Sequence, residues 1–536
     1  MLLTLNIMEK IKSAISKFFS PGWLDSWRPY AVIFILAFLL YGQTLFFNYT
    51  YLDDNTLILD KYTVLSDFRN VGTLFSTDAF FSGNKLYYRP ILNFSFMLDA
   101  QAGGQAPFIY HLDDILLHII AVGLIYLLLR KINLKKPLAF FLSLFFLVHP
   151  ALTQAVAWLP GRNDSLVTIF SLLAFLVFLR FSQTGRLSAY LGYLALFFVA
   201  LLTKETAVLL PLLVIVYSLT LGRAEKITGR DRWLIIFGSV AVGFIWAILR
   251  KLALGTTKIS LGAALTSIFH NLPDAFIMSG KMILPFNLSV LPVSLDSYYW
   301  LALIAWVLLI AAWLLSKRKR GAYLIFGAAW FLIFFLPPFL VSNGAPYFLE
   351  HRLYLPMVGF LIMLGEIDWL KDLDWSRRRV LLGASAVLLF LSIITIVHSQ
   401  AFSDRLTFWR TAVKDSPHSP LAQRNLGVME YFVGNFSGAA ADYQKALALN
   451  PNEAMAHNNL GVIDMNNKDY VSAVAQFKQE LAVNPGYDKA YLNLGDIAYL
   501  NNDLTNALIY WQDAARANPD DAEAQNRLNN LAKPLK

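Results

Sequence analysis

The sequence predicts an all-α protein in two parts: a polytopic bundle of membrane-spanning helices, then a soluble α-solenoid. Three observations predict it. Of 536 residues, 57% are hydrophobic and only 15% charged, whereas soluble chains carry nearer a quarter. Apolar runs of near-membrane length recur between about residues 30 and 398. From Pro417 the pattern gives way to a repeat with a period of 34 residues.

The net charge of +9 reads, in a membrane protein, as basic cytoplasmic loops and not as a nucleic-acid surface. The chain has no cysteine, which excludes disulfides, thiol chemistry and Cys-ligated zinc. Lys10, Lys12 and Lys17 precede a first apolar run that is too long for a signal h-region and lacks a small-x-small site after it. A retained first helix is therefore expected.

Candidate spans, eleven in all, fall at roughly 30–48, 114–129, 137–150, 165–180, 188–203, 206–221, 233–249, 299–316, 321–341, 356–370 and 380–398. Basic clusters stand at Arg130-Lys131 with Lys135-Lys136, Arg180 with Arg186, Arg223 to Arg232, Lys317 to Arg320, and Lys371 to Arg379. With the N-terminus inside, all five lie on the cytoplasmic side. The loops 49–113, 150–164, 203–205, 250–298 and 342–355, and everything after 399, then face away from the cytoplasm. An amphipathic helix near 261–279, with Arg250, Lys251, Lys258 and Lys281 around it, is expected along the membrane surface. Loop 49–113 holds many aspartates against Lys61, Arg69, Lys85 and Arg89. At that length it reads as a folded active-site element and not as a tether.

In the tail, Pro417, Pro451, Pro485 and Pro519 are evenly spaced, as are Gly427, Gly461 and Gly495, each after a leucine, and Ala439, Ala473 and Ala507. This is the tetratricopeptide signature, a helix pair per repeat with small residues where the helices touch. Three repeats over about 419–521 and a capping helix over 522–534 are expected. Asn425, Asn458, Asn459 and Asn493 lie on the first helices, where they can bond a peptide backbone in a concave groove; capping or solvent contact is the plainer role.

Asp53-Asp54 stands just past the first span. Two carboxylates at a helix mouth repel and are costly to desolvate. They read either as a helix cap or as a base that deprotonates an attacking hydroxyl. Arg89, in Tyr88-Arg89-Pro90, suits an ion pair with the aspartates or a phosphate. Asp114 and His118 share a helix face four apart, beside His111; they read as a polar network or a metal site, although no compact ligand set argues for a metal. His149-Pro150 and Arg162, in Pro160-Gly161-Arg162-Asn163-Asp164, suit an anionic headgroup, with Asp164 as a cap. Lys204 and Glu205 either neutralise each other at a tight turn or leave Lys204 for a lipid phosphate. Arg352, in Glu350-His351-Arg352, suits the phosphate of a lipid-linked substrate or a salt bridge to Glu350.

The order Leu52-Asp53-Asp54, Tyr88-Arg89-Pro90, His111 with His118, His149-Pro150, Gly161-Arg162, Lys204-Glu205 and Leu353-Tyr354-Leu355-Pro356, followed by tetratricopeptides, resembles the transmembrane-and-tetratricopeptide O-mannosyltransferases of the GT-C class. The resemblance covers nearly the whole chain. It implies a polyprenyl-phosphate-linked sugar as donor substrate, inversion at the anomeric carbon, and a catalytic carboxylate in the first external loop. Asp53 would be the base and Asp54 its neighbour or a substrate ligand. Arg89, His149, Arg162, Lys204 and Arg352 would serve the donor phosphate, with His111, Asp114 and Glu205 as further pocket candidates. The short repeat array points to a prokaryotic relative.

The expected organisation is a basic cytoplasmic segment over 1–29, a GT-C-like membrane domain over 30–398, a linker over 399–418 and the repeats over 419–536. The expected activity is transfer of one sugar from the lipid carrier to an extracytoplasmic acceptor, a protein Ser or Thr hydroxyl held by the repeat groove, at a prokaryotic inner membrane. Nucleic acid is not expected as a partner, and beyond the donor lipid no cofactor is indicated, with a divalent metal left open. The rival readings are a transferase acting on a glycolipid or polysaccharide, and a non-catalytic membrane scaffold whose repeats recruit envelope proteins.

Overall fold

The computed structural model describes residues 22–80, 87–224, 228–255, 261–340, 348–519 and 521–531. Lys10, Lys12, Lys17, Lys85, Lys258 and the start of loop 342–355 lie outside them. Among the described residues every regular element is helical. The chain divides into two compact units, Met1–Asp404 and Arg405–Lys536.

In the first unit, five helices are long and apolar enough to cross a bilayer: Arg28–Phe46, Pro107–Lys131, Leu159–Thr184, Gly229–Leu254 and Arg378–Phe402. A sixth span is possible if the bent pair Lys136–Leu147 and Pro150–Ala157 counts as one. The other expected spans are short helices, Leu187–Thr203, Tyr299–Leu315, Gly321–Phe335 and Tyr354–Leu364 among them. This is an integral membrane protein, but its helices are less uniform than eleven equal runs. The expected span at 114–129 begins seven residues earlier, at Pro107. The helix runs straight through Asp113-Asp114 because those carboxylates meet a buried arginine.

Breaks in the helices build the site. Lys136–Leu147 ends before His149-Pro150, where proline cannot continue the ladder, and the chain bends by 56° into Pro150–Ala157. Gly161 then passes so close that a Cβ on it would lie 2.4 Å from the Gln154 carbonyl oxygen. That tight fold sets Gln154, Trp158 and Asp164 side by side. The helices Gly321–Phe335 and Tyr354–Leu364 touch backbone to backbone. A Cβ on Gly359 would meet the Gly327 carbonyl oxygen and the Phe331 nitrogen, each at 2.5 Å, the close approach that small residues permit within membranes. This contact anchors the segment that opens with Glu350-His351-Arg352.

Three of the basic clusters meet at one end of this unit. Lys135 Nζ donates to the Lys371 carbonyl at 2.7 Å, Lys371 Nζ donates to the Arg318 carbonyl at 2.9 Å, and Arg130 and Lys136 pair with Asp25. The helix Leu261–Lys281 forms where an amphipathic helix was expected, and it ends in a buried Lys281–Glu350 ion pair at 2.7 Å.

The second unit is the expected repeat array: Pro420–Phe432 with Phe436–Leu449, Ala456–Asn466 with Tyr470–Val483, Asp488–Leu500 with Leu504–Ala517, and then Ala522–Leu531. Gly427, Gly461 and Gly495 lie against Tyr443, Phe477 and Trp511, one aromatic ring per repeat. Residues 399–418, expected as a linker, are largely helical, with Arg405–Asp415 opening this unit.

Candidate active site

The loop after the first span is wound tightly around Asp54. Its buried carboxylate accepts hydrogen bonds from the backbone N–H of Thr50 (2.6 Å), Tyr51 (2.7 Å) and Asn55 (2.9 Å) and from the Thr50 hydroxyl (2.9 Å). Its oxygens are thus occupied by its own loop, which leaves it poorly placed as a substrate ligand. A single π-helical turn, Asn55–Leu59, follows, a feature that often marks functional positions.

Asp53 is the opposite case. It is accessible to solvent, and among the described residues nothing bonds its carboxylate. Its φ is +66° and that of Tyr51 is +60°, left-handed conformations that are costly for residues other than glycine. Trp158 holds the loop in this shape by donating its indole N–H to the Leu52 carbonyl at 2.8 Å. Surrounding protein pushes the Asp53 carboxyl up to about 6, while Arg89 pulls the other way.

Arg89, the described cation whose charge acts on Asp53, belongs to a cationic cluster with Lys204 and Arg352. Arg89 lies 4.3 Å over the Tyr87 ring and forms a two-pronged pair with Glu205, Nε to Oε2 at 3.1 Å and Nη2 to Oε1 at 2.8 Å. Asn163, its amide turned to satisfy both neighbours, accepts from Arg89 Nη1 at 2.9 Å and donates to the Thr203 carbonyl at 3.0 Å. Lys204 and Glu205 therefore do not pair with each other. Lys204 Nζ instead sits between the two oxygens of Asp164, at 2.8 and 2.7 Å. Asp164 also faces His351 Nε2 at 3.6 Å. Arg352 lines a small cavity with Asp164, Lys204 and Phe334, and its guanidinium bonds no described residue. Arg89 and Lys204 each hold a carboxylate, Glu205 and Asp164, whereas Arg352 feels both only at longer range.

Two expected phosphate ligands are elsewhere. Arg162 is fully buried, and its guanidinium meets Asp114 (2.6 Å), Asp99 (2.5 Å), Asp113 (3.3 Å) and the Tyr110 carbonyl (2.7 Å) over the Phe96 ring. With its donors taken by protein, it joins the helices Pro90–Gly103, Pro107–Lys131 and Arg162–Thr184 and has none left for a headgroup. Asp114 is a member of that hub and not a pocket residue. His149 is buried, with Nε2 near the Met282 carbonyl at 3.2 Å and its ring against Phe145. His111 is buried against Phe47, and among the described residues neither ring nitrogen has a hydrogen-bond partner. Both are core histidines. The sequence reading gave Asp164 only as a cap, quoted His351 beside Arg352 without a role, and gave no role to Trp158 or Gln154. A loop that holds Trp, Gly, Arg and Asp within seven residues (Trp158 to Asp164) was the available signal. Among the described residues no group of three or more His, Asp or Glu is arranged to hold a metal ion.

The family described as dolichyl-phosphate-mannose-protein mannosyltransferase matches residues 103–247, and tetratricopeptide families match 429–468 and 464–522. Parts of the chain are similar to proteins named protein O-mannosyl-transferase, and the chain spans about a fifth or less of the length of the first of them. It is 35% identical over 178 residues to Protein O-mannosyl-transferase Tmtc1 of Drosophila melanogaster, covering 32% of this chain and 20% of that protein. It is 34% identical over 143 residues to Protein O-mannosyl-transferase TMTC1 of Homo sapiens, covering 25% of this chain and 16% of that protein. A longer match, 24% identical over 380 residues, joins it to Protein O-mannosyl-transferase F38B6.6 of Caenorhabditis elegans, covering 68% of this chain and 54% of that protein. The O-mannosyl-transferase match at 103–247 takes in Arg162, Asp164, Lys204 and Glu205. Asp53, Arg89 and Arg352 lie outside it.

Proposed function

We propose that this protein is an inverting membrane glycosyltransferase that moves a sugar from a polyprenyl-phosphate carrier to a protein Ser or Thr hydroxyl on the extracytoplasmic face of a prokaryotic inner membrane. The observation that carries this reading is a conformationally strained carboxylate, Asp53, that no described residue bonds, near Arg89 of a cluster whose Arg352 guanidinium bonds no described residue. Those are the two halves of a displacement at an anomeric carbon. Asp53 takes the proton of the acceptor hydroxyl as its oxygen attacks the anomeric carbon. The bond from that carbon to the phosphate oxygen breaks, and the departing phosphate carries its negative charge to Arg352, with Arg89 and Lys204 beside it. No acid is required, because the leaving group is already an anion.

One helix supports an assignment of the membrane side. Pro107–Lys131 runs from the Arg162 hub at one end to Arg130 at the other, and at about 1.5 Å per residue it exceeds the roughly 30 Å hydrocarbon core. The three basic clusters gathered at the Arg130 end support a cytoplasmic assignment for it. On that assignment Asp53 lies outside.

The test is transfer of radiolabelled sugar from polyprenyl-phosphate mannose into protein in membranes carrying Asp53→Asn or Asp54→Asn, each scored beside its folded yield. Asp53→Asn should abolish transfer without lowering yield, whereas Asp54→Asn should lower yield. Undiminished transfer by Asp53→Asn rules the assignment out.

A further inference from the structure

We propose that His351 reads a hydroxyl of the transferred sugar, as a neutral ring protonated on Nδ1 that offers its Nε2 lone pair to the substrate. This rests on the reading of the site as a sugar-transfer centre and goes beyond it.

The tautomer is fixed by Gln154. The Gln154 side-chain N–H donates to the Val290 carbonyl at 3.1 Å, and the His351 backbone N–H donates to Gln154 Oε1 at 3.2 Å. Turning the amide over would set donor against donor and acceptor against acceptor, so the oxygen must face His351. His351 Nδ1 lies 3.2 Å from that same oxygen, so Nδ1 carries the proton and donates. In the neutral ring, Nε2 is then left as an acceptor.

Among the described residues, the cations around the ring favour its neutral form. Lys204, Arg352 and Arg89 disfavour a fourth positive charge, and burial with these cations holds the ring well below its ordinary range. Asp164, the one carboxylate facing it, at 3.6 Å, is held by Lys204 at both oxygens. Unlike His111 and His149, sealed in the core, His351 keeps about a tenth of its side chain accessible, and the Trp158 ring packs 5.3 Å from it. An acceptor nitrogen beside the phosphate-facing cations fits a hydroxyl on the sugar joined to that phosphate; the acceptor substrate's hydroxyl belongs to Asp53.

Two substitutions separate the ring's two nitrogens. Asparagine keeps a polar group near Nδ1 and loses Nε2, whereas glutamine keeps a polar atom near Nε2. With polyprenyl-phosphate mannose, His351→Asn should lower kcat/KM about tenfold or more, as expected for one lost substrate hydrogen bond, and His351→Gln should lower it less. Among 2-, 3-, 4- and 6-deoxymannose donors, one should show the same loss with the wild-type protein and no added loss with His351→Asn. Full kcat/KM in His351→Asn, or additive losses with every deoxy donor, would overturn the proposal. A ¹⁵N-histidine difference spectrum of wild type against His351→Asn in lipid nanodiscs tests the tautomer without turnover. It should show a protonated Nδ1 and a bare Nε2; the reverse also overturns the proposal. Failure of the transferase reading itself looks different: wild type then transfers from no polyprenyl-phosphate sugar, while the spectrum still reports on the ring.

Discussion

Replacing Arg162 by methionine should unfold the membrane unit before it affects donor binding. The substitution removes the one cation that Asp99, Asp113 and Asp114 share. Asp99 and Asp114 are 5% and 1% exposed, so neither can recover water in place of the lost partner. Breaking a buried ion pair from one side costs about 3–5 kcal/mol, and the Tyr110 carbonyl loses its donor at about 1 kcal/mol more. Against a total stability on the order of 5–15 kcal/mol, that is a large fraction. The assay is thermal unfolding in detergent, with donor-lipid binding measured on the folded fraction. Arg162→Met should lower the melting temperature by roughly 10 °C and leave the dissociation constant of the remaining folded protein within twofold. Adding Asp99→Asn and Asp114→Asn should restore much of the loss, because a buried charged cluster replaced as a whole is often nearly neutral. An unchanged melting temperature with a tenfold weaker donor affinity would refute the structural role and return Arg162 to the phosphate.

Transfer should fall on the acid side with an apparent pKa near 6, the value to which Asp53 is pushed. The base works ionised, so lowering pH from 7 to 5 takes its ionised share from about nine-tenths to about one-tenth. Removing the nearby cation with Arg89→Gln should shift that limb upward in a pH–rate profile. Lys204→Met should leave Asp164 as an uncompensated buried carboxylate and lower both stability and transfer, with Asp164→Asn added to it recovering stability but not transfer, measured by melting and by sugar incorporation. Gly359→Leu should separate the two helices that meet at Gly327 and cost at least about 1–3 kcal/mol, read as lost folded yield. Gly495→Ala should push against Trp511, 2.4 Å from the added carbon, and destabilise the last repeat by a similar amount in urea melts of the intact protein.

The repeat array was legible because its signal is redundant: proline, glycine and alanine recur in one phase, and each marks a contact that has to recur. The membrane unit was legible as a class and less so in count. Hydropathy reports where lipid is met, and many helices here are short or bent because they meet one another. At the site, Arg89, Lys204 and Arg352, each singled out in the sequence, lie in one cluster, and the Arg89 charge acts on Asp53. Glu205 is there too, paired with Arg89 and not with its sequence neighbour Lys204. The misreadings share a cause. Arg162, His149 and His111 stand beside turns in the sequence, where exposure is the natural expectation, and only the fold reveals which turns are buried. Asp164 was read as a cap because its partners, Lys204 and His351, come 40 and 187 positions later.

The Arg162 hub also bears on biosynthesis. Asp114 lies 48 residues ahead of the arginine that neutralises it. While the ribosome is still making that stretch, the helix bearing Asp113 and Asp114 has no counter-ion, and carboxylates are poorly tolerated in lipid. Stable insertion of this segment is therefore expected only once residue 162 has emerged, so that these helices would enter the bilayer as a group.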